Sequence, residues 1–168
     1  LTTYRRLGIL LLSLATLFPA LQAQTNCAFP SALSQGYTVS ISSVTANVNG
    51  THTIVLNVVN NGCAGCKKIN NFTVQAAAGT YSNVSVQLLS GAFTYSNISL
   101  GPNLSGYSFT GFRINGTNGM GNGQPAAFSV TYTLSGAFQS QQTVIKAGSA
   151  NMTLTSYFTP ANFQAVKD

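Results

Sequence analysis

The most unusual feature of this chain is its shortage of acidic residues. Its 168 residues contain seven Lys and Arg but a single acid, Asp168, and only 5% of the residues are charged. Glycoside hydrolysis by paired carboxylates and calcium binding both need several acids, so the composition excludes them. Disordered chains combine low hydrophobicity with high charge, whereas 45% of this chain is hydrophobic. We therefore expect a folded protein whose polar surface consists of Ser, Thr, Asn, Gln and Gly.

Other catalytic groups are equally scarce. His52 is the only histidine, so a Ser-His-Asp triad would have to use Asp168, and the chain contains no GxSxG motif. A Cys-His pair of His52 with Cys63 or Cys66 is conceivable, but disulfide formation competes with it. Zinc sites need four ligands, which one His and three Cys support poorly. We expect no enzymatic activity, no metal site and no cofactor.

The cations do not form a basic run. Lys67 and Lys68 are adjacent, while Arg113, Lys146 and Lys167 are scattered along the sequence. Nucleic acids and anionic membrane surfaces are bound by clustered Lys and Arg. The high isoelectric point therefore reflects missing acids, and we do not expect nucleic acid as a partner.

The N-terminal segment has the order of regions found in a secretory signal peptide. Arg5 and Arg6 precede an apolar run of 12 residues, Leu7–Phe18, and Ala23 supplies a small residue at the expected cut. A membrane anchor would need about 20 apolar residues, and a retained pilin-type helix fits poorly with the paired Arg and an early Pro. We expect residues 1–23 to be removed, leaving a secreted or cell-surface protein without an integral membrane segment.

Three cysteines, Cys27, Cys63 and Cys66, suit an exported protein with one intrachain disulfide. The CxxC spacing of the last two could be a redox motif. Thioredoxin-like chemistry, however, places CxxC at the start of a helix in a βαβ unit, and here it lies between strand-like segments. We predict a structural disulfide, either Cys63–Cys66 within the turn or Cys27 with one of them.

The mature chain alternates short β-rich runs with turn signals. This pattern predicts an all-β fold of about eight to ten strands and no confident helix, arranged as a two-sheet sandwich of immunoglobulin-like or jelly-roll type. The sandwich is assigned to residues 37–168, residues 24–36 form an N-terminal extension, and Asn49-Gly50 predicts a type I′ hairpin. The predicted strands are Tyr37–Val48, His52–Val59, Ile69–Ala76, Tyr81–Leu89, Phe93–Leu100, Tyr107–Ile114, Phe128–Leu134, Thr143–Ala147 and Met152–Phe158.

One segment, Asn115–Pro125, interrupts the strand pattern with four Gly in eleven residues. A phosphate-binding loop would be followed by a helix carrying Lys and Ser or Thr, whereas a strand-like segment follows here. We predict a flexible inter-strand loop or, alternatively, a recognition loop on a rigid scaffold.

Seven N-x-S/T sequons are present, a modest excess over what the composition alone would give. They are candidate glycosylation sites if the source organism modifies Asn. The seven Asn are Asn49, Asn71, Asn83, Asn97, Asn103, Asn115 and Asn151.

The chain resembles pilin-like subunits of extracellular filaments and adhesins in four features. These are the export signal, the uncharged β-sandwich, the abundance of Ser, Thr and Asn, and the lack of catalytic groups. The resemblance covers the mature chain as a style of sequence and includes no family-specific motif. It implies self-association into a homopolymer by strand donation, with residues 24–36, which carry Phe29 and Leu33, or Met152–Val166 as the donor. The alternative is a monomeric binding module that recognises carbohydrate or another surface through its Tyr- and Asn-rich strands or its Gly-rich loop.

The composition makes one direct prediction: the stability of the fold should be nearly flat from neutral pH down to about pH 2. Acid denaturation comes mostly from carboxylates that are paired in the folded state and must take up protons, and this chain has only Asp168 to offer. Thermal melts at pH 2, 4 and 7 measure this. A midpoint that falls by more than about 8 °C, roughly 2 kcal/mol for a domain of this size, would contradict the prediction.

Overall fold

The computed structural model describes residues 26–27, 35–102, 110–148 and 152–167. They form ten strands and one helix: β1 Asn26–Cys27, β2 Tyr37–Ala46, β3 Thr51–Asn60, β4 Ile69–Ala76, β5 Thr80–Ser90, β6 Asn97–Pro102, β7 Thr110–Asn115, β8 Ala126–Ser135, β9 Gln141–Ala147, β10 Met152–Phe158 and α1 Pro160–Val166.

The strands form two antiparallel sheets that pack face to face, which confirms the predicted two-sheet sandwich. The first sheet has the order β1-β2-β3-β8-β5 and the second has the order β10-β9-β4-β7-β6. Because β1 has only two residues, the first sheet consists of four full-length strands and a short bridge.

The core lies between the sheets and follows the alternation that the sequence predicts. Alternate side chains of β8 are fully buried, namely Phe128, Val130 and Tyr132. The residues between them, Ser129 and Thr131, lie on the other face of the sheet. The ring of Phe72, on β4 of the opposite sheet, meets Phe128 edge to face at 6.0 Å. Full burial of each such side chain contributes about 1.5–3 kcal/mol, so cross-sheet packing is the main source of stability.

A second aromatic cluster joins the sheets through Tyr81, Phe112 and Tyr132, whose ring centroids lie 5.1 to 6.0 Å apart. The Tyr132 hydroxyl donates a hydrogen bond of 2.6 Å to Oε1 of Gln141 on the opposite sheet. The buried hydroxyl of Tyr81 has no hydrogen-bond partner among the described residues. Burial raises the pKa of both phenols, because the charged phenolate would lose its solvation.

The short helix α1 covers one side of the sandwich by packing against β2. Its Phe163 is fully buried and stacks on Phe138 at 5.4 Å. Thr159 caps the helix through a reciprocal pair of hydrogen bonds with Asn162, and Pro160 occupies the first turn. The sequence expectation of no confident helix missed this element, although Thr followed by Pro is an ordinary helix-start signal.

Two local expectations were wrong. A type I′ turn needs positive φ at both central residues, but Gly50 has a φ of 76° while Asn49 is not in the left-handed region. The hairpin instead closes through hydrogen bonds from Gly50 N to Asn47 O and from Asn47 N to Thr51 O. The strand predicted from Phe93 begins only at Asn97.

The buried phenols predict a limit to stability on the alkaline side. Burial raises the pKa of Tyr37, Tyr81 and Tyr132 above the ordinary value of about 10. Their contribution is therefore complete below about pH 10 and is lost as the pH rises through the folded pKa values. We expect cooperative unfolding above pH 10, with these phenols ionising in the same step. Phenolate absorbance measures the ionisation, and circular dichroism measures the unfolding.

Tyr81→Phe gives a sharp control, because it removes a buried hydroxyl that has no described partner and leaves the ring in place. Stability at pH 7 should be unchanged or higher by up to about 1 kcal/mol, and the alkaline midpoint should rise. Tyr95→Phe, at a position 41% exposed, should change neither. Smooth ionisation of every Tyr near pH 10 with the circular dichroism intact would refute the prediction.

Candidate functional site

The edges of both sheets carry no charged side chain. The terminal strands are β1 and β5 in one sheet and β6 and β10 in the other, and none of them contains Lys, Arg, Asp or Glu. The cations that lie on strands, Arg113 and Lys146, are on the interior strands β7 and β9. Natural sheet edges are often protected by charged residues against pairing with another chain. That protection is absent from these edges.

Two apolar side chains on the edge strands β5 and β6 face the space between the sheets but are only partly covered. Directly paired residues share a face of their sheet, so Leu88, paired with buried Phe128, and Leu100, paired with buried Phe112, both point towards the core. Both are nevertheless about half exposed, at 48% and 51%. We call this region, bordered by Leu88 and Leu100, the β5–β6 opening.

The surroundings of the β5–β6 opening are also apolar. Val86 and Ile98 are half-buried beside it, and Leu89, which is 49% exposed, lies at a register irregularity of β5. Phe93 lies before the start of β6, and its ring stacks on the Phe128 ring with centroids 4.0 Å apart. On the opposite side of the sandwich, α1 packs on β2 and β1 contacts β10, so the two sides differ in how far they are covered.

Both candidate donor segments contribute strands to their own chain. In the N-terminal extension, Asn26 and Cys27 pair with Ser40 and Val39 of β2, while residues 24–25 and 28–34 lie outside the described residues. In the C-terminal candidate, β10 pairs with β9 along its whole length. Among the described residues, two of the N-terminal segment are paired in a sheet, compared with seven in β10.

The cysteine turn after β3 pairs Cys63 with Cys66, whose Cα atoms are 5.3 Å apart. The Cys66 amide also donates to the Cys63 carbonyl at 3.1 Å, which closes a turn between strands and not the start of a helix. Cys27 lies in β1, and its thiol lies outside the described residues. Nothing in this geometry resembles the CxxC of a redox enzyme.

The structure does not bring His52 together with the cysteines. His52 lies at the start of β3 and the cysteine turn follows its end, and a strand of ten residues spans roughly 30 Å. The imidazole instead packs on Phe138 with ring centroids 4.3 Å apart. No group of three or more His, Cys, Asp or Glu side chains suited to a metal occurs among the described residues.

Burial first and the nearby Lys167 second lower the pKa of His52. A histidine whose folded pKa is depressed destabilises the fold as the pH falls below its unfolded value of about 6.5. His52 therefore adds a small decline to the otherwise flat acid profile.

The Gly-rich loop Asn115–Pro125 is docked onto the cysteine turn. Met120 is fully buried, and its carbonyl accepts hydrogen bonds from the Ile69 amide and the Tyr37 hydroxyl, both at 3.3 Å. Gly121 approaches so closely that a Cβ there would lie 2.5 Å from the Lys67 carbonyl oxygen. The glycines thus permit close packing of this loop, so a freely flexible loop is not what the structure shows.

Strand pairing brings Lys146 to the same end of the sandwich as the adjacent Lys67 and Lys68. The Gly148 amide donates to the Lys68 carbonyl at 2.8 Å, and Lys146, two residues earlier, is paired with Asn71 of β4. The main chain at Lys146 therefore lies near that of Lys67 and Lys68. The sequence alone gave no sign of this, since the proximity depends on the pairing of β4 with β9.

The sequon Asn residues differ in exposure and in their place in the fold. Asn49 is exposed at the β2–β3 turn, Asn83 and Asn97 are exposed on the edge strands β5 and β6, and Asn71 and Asn115 are half-buried. Asn103 and Asn151 lie outside the described residues. A glycan on Asn83 or Asn97 would obstruct the pairing of another chain with that edge.

Across the described ranges no helix has the length and apolar character needed to cross a membrane. A scan against models of known protein families matched none of them, and a search of curated proteins also found no match.

The cysteine geometry makes a covalent prediction. In protein exported to an oxidising compartment we expect a Cys63–Cys66 disulfide and a free Cys27 thiol, because the two turn cysteines already lie within disulfide range. Non-reducing peptide mapping with thiol alkylation measures this. A peptide in which Cys27 is linked to either turn cysteine, or three alkylated thiols, would contradict the structural pairing.

Proposed function

We propose that this chain is a non-enzymatic extracellular structural or adhesive protein whose copies assemble by strand addition into a filament, pilus- or fimbria-like, or into a matrix. The observation that carries the proposal is the β5–β6 opening. Leu88 and Leu100 face the core from neighbouring uncharged edges and remain half exposed. An added strand would cover these side chains and hydrogen-bond to the free edge of β5, which is 11 residues long.

Residues 24–36 of a second copy suit this role. Phe29 and Leu33 are four residues apart and would lie on one face of an extended strand, so both can enter an apolar groove together. Pro30 between them lacks an amide donor and is tolerated at sheet edges. The segment carries no charge. Its described residues would have to release the pairing of Asn26 and Cys27 with β2 and the hydrogen bonds of Gln35 and Gly36 to the end of β3 and the cysteine turn.

The proposed role is not catalytic. The Cys-His arrangement is not formed, and the one histidine packs on Phe138. A monomeric binding module for carbohydrate is the second candidate, and it is favoured by the lysine-bearing end of the sandwich.

Charge placed in the opening should prevent assembly. We expect Leu88→Lys combined with Leu100→Lys to raise the concentration needed for assembly at least about tenfold, because burying an unpaired ammonium between the sheets is costly. The control is Val48→Lys, which adds a lysine at a fully exposed residue of the β2–β3 turn and is compared with each single lysine variant as well as with the pair. Electron microscopy and sedimentation velocity on the mature chain measure assembly, and thermal melts confirm folding.

A synthetic peptide of residues 24–36 with Cys27→Ser tests the donor separately. It should inhibit assembly of the full protein, whereas a scrambled peptide of the same composition should not. A well-folded double-lysine variant that assembles like the unmodified protein would refute the opening as the acceptor. Monomeric unmodified protein at all accessible concentrations would refute assembly itself.

A further inference from the structure

The end of the sandwich that holds the cysteine turn also holds a concave site. A cleft of about 500 Å³ lies between the cysteine turn, the end of β9 and the Gly-rich loop, and its lining includes Lys67, Lys68, Asn70 and Asn122. Gly148 also lines the cleft, and Lys146 lies two residues before it in the sequence. None of these residues belongs to β5 or β6, so the cleft is separate from the β5–β6 opening.

The main chain that carries the lysines is fixed on both sides. The Lys67 carbonyl accepts a hydrogen bond of 2.9 Å from the Tyr37 hydroxyl, and the Lys67 amide donates to Gln35 Oε1 at 3.0 Å. The Gly148 amide holds the Lys68 carbonyl at 2.8 Å. A site whose main chain is already fixed loses less entropy when a ligand binds.

The cleft is electropositive and has no acid of its own. Two of the chain's seven cationic residues, Lys67 and Lys68, line it, and Lys146 is close by along β9. The single acid, Asp168, lies outside the described residues. No carboxylate in the described part of the chain competes for these ammonium groups. Their field is therefore available to an external anion.

We propose that this cleft binds an acidic polysaccharide through its sulfate or carboxylate groups. Lysine ammonium groups act as mobile point charges, which suit anions that vary in position along a polymer. The side-chain amides of Asn70 and Asn122 offer neutral hydrogen-bonding groups for sugar hydroxyls. The lining lacks the aromatic side chains on which single-stranded nucleic acid stacks, and it lacks the large aliphatic and aromatic side chains that insert into a bilayer.

Binding of purified protein to heparin, polygalacturonate and neutral dextran tests the proposal by calorimetry at about 50 mM and about 200 mM salt. We expect binding to at least one of the two acidic polymers, weaker at the higher salt, and none to dextran. The preferred polymer tells whether the site takes sulfate or carboxylate. Lys67→Gln combined with Lys68→Gln should weaken binding about tenfold or more, and adding Lys146→Gln should weaken it further.

Lys167→Gln is the matched control, because Lys167 lies near His52 at the far end of the sandwich and carries the same charge. It should change affinity by less than about twofold. The proposal fails if neither acidic polymer binds, if the double variant binds normally, or if Lys167→Gln costs as much as the double variant. Duplex DNA or phosphatidylserine vesicles bound as tightly as the polysaccharide would also overturn it. The proposal does not depend on assembly.

Discussion

Every specific polar contact inside this sandwich has to be made without carboxylates. Two buried polar side chains show how neutral groups serve instead: Asn60 donates to the Gln35 carbonyl at 2.8 Å and accepts from the Gly62 amide at 2.7 Å, and Tyr132 donates to Gln141 across the sheets. A neutral hydrogen bond contributes only about 1 kcal/mol net. Polar contacts therefore specify which loops meet, and apolar packing between the sheets supplies most of the stability.

The same shortage of charge sets the properties of the surface. Because the edge strands carry no charged side chain, an edge can be protected only when a helix, a loop or another chain covers it. On one side that role falls to α1, with its buried Phe163. On the other side Leu88 and Leu100 remain half exposed.

The sequence could predict the strands because their period-2 pattern is local. Most predicted strand bounds agree with the structure to within a few residues, and β8 shows why: alternate side chains such as Phe128 and Val130 face one core. The β5–β6 opening could not be predicted from the sequence, because it depends on which strands lie at the edges of each sheet. The meeting of Lys146 with Lys68 likewise depends on the pairing of β4 with β9.

The opening and the lysine cleft have a common consequence if both act as proposed. Strand addition at β5 and β6 leaves the cleft at the end of each subunit uncovered, since its lining belongs to other elements. A polymer would then present the cleft once per subunit along its length. Repeated weak sites on one particle bind a polymeric ligand far more tightly than one site does, because later contacts form at high effective concentration. Assembly would thus convert a small two- or three-lysine site into an adhesive surface, and a glycan at Asn83 or Asn97 would remove that gain by keeping the subunits apart.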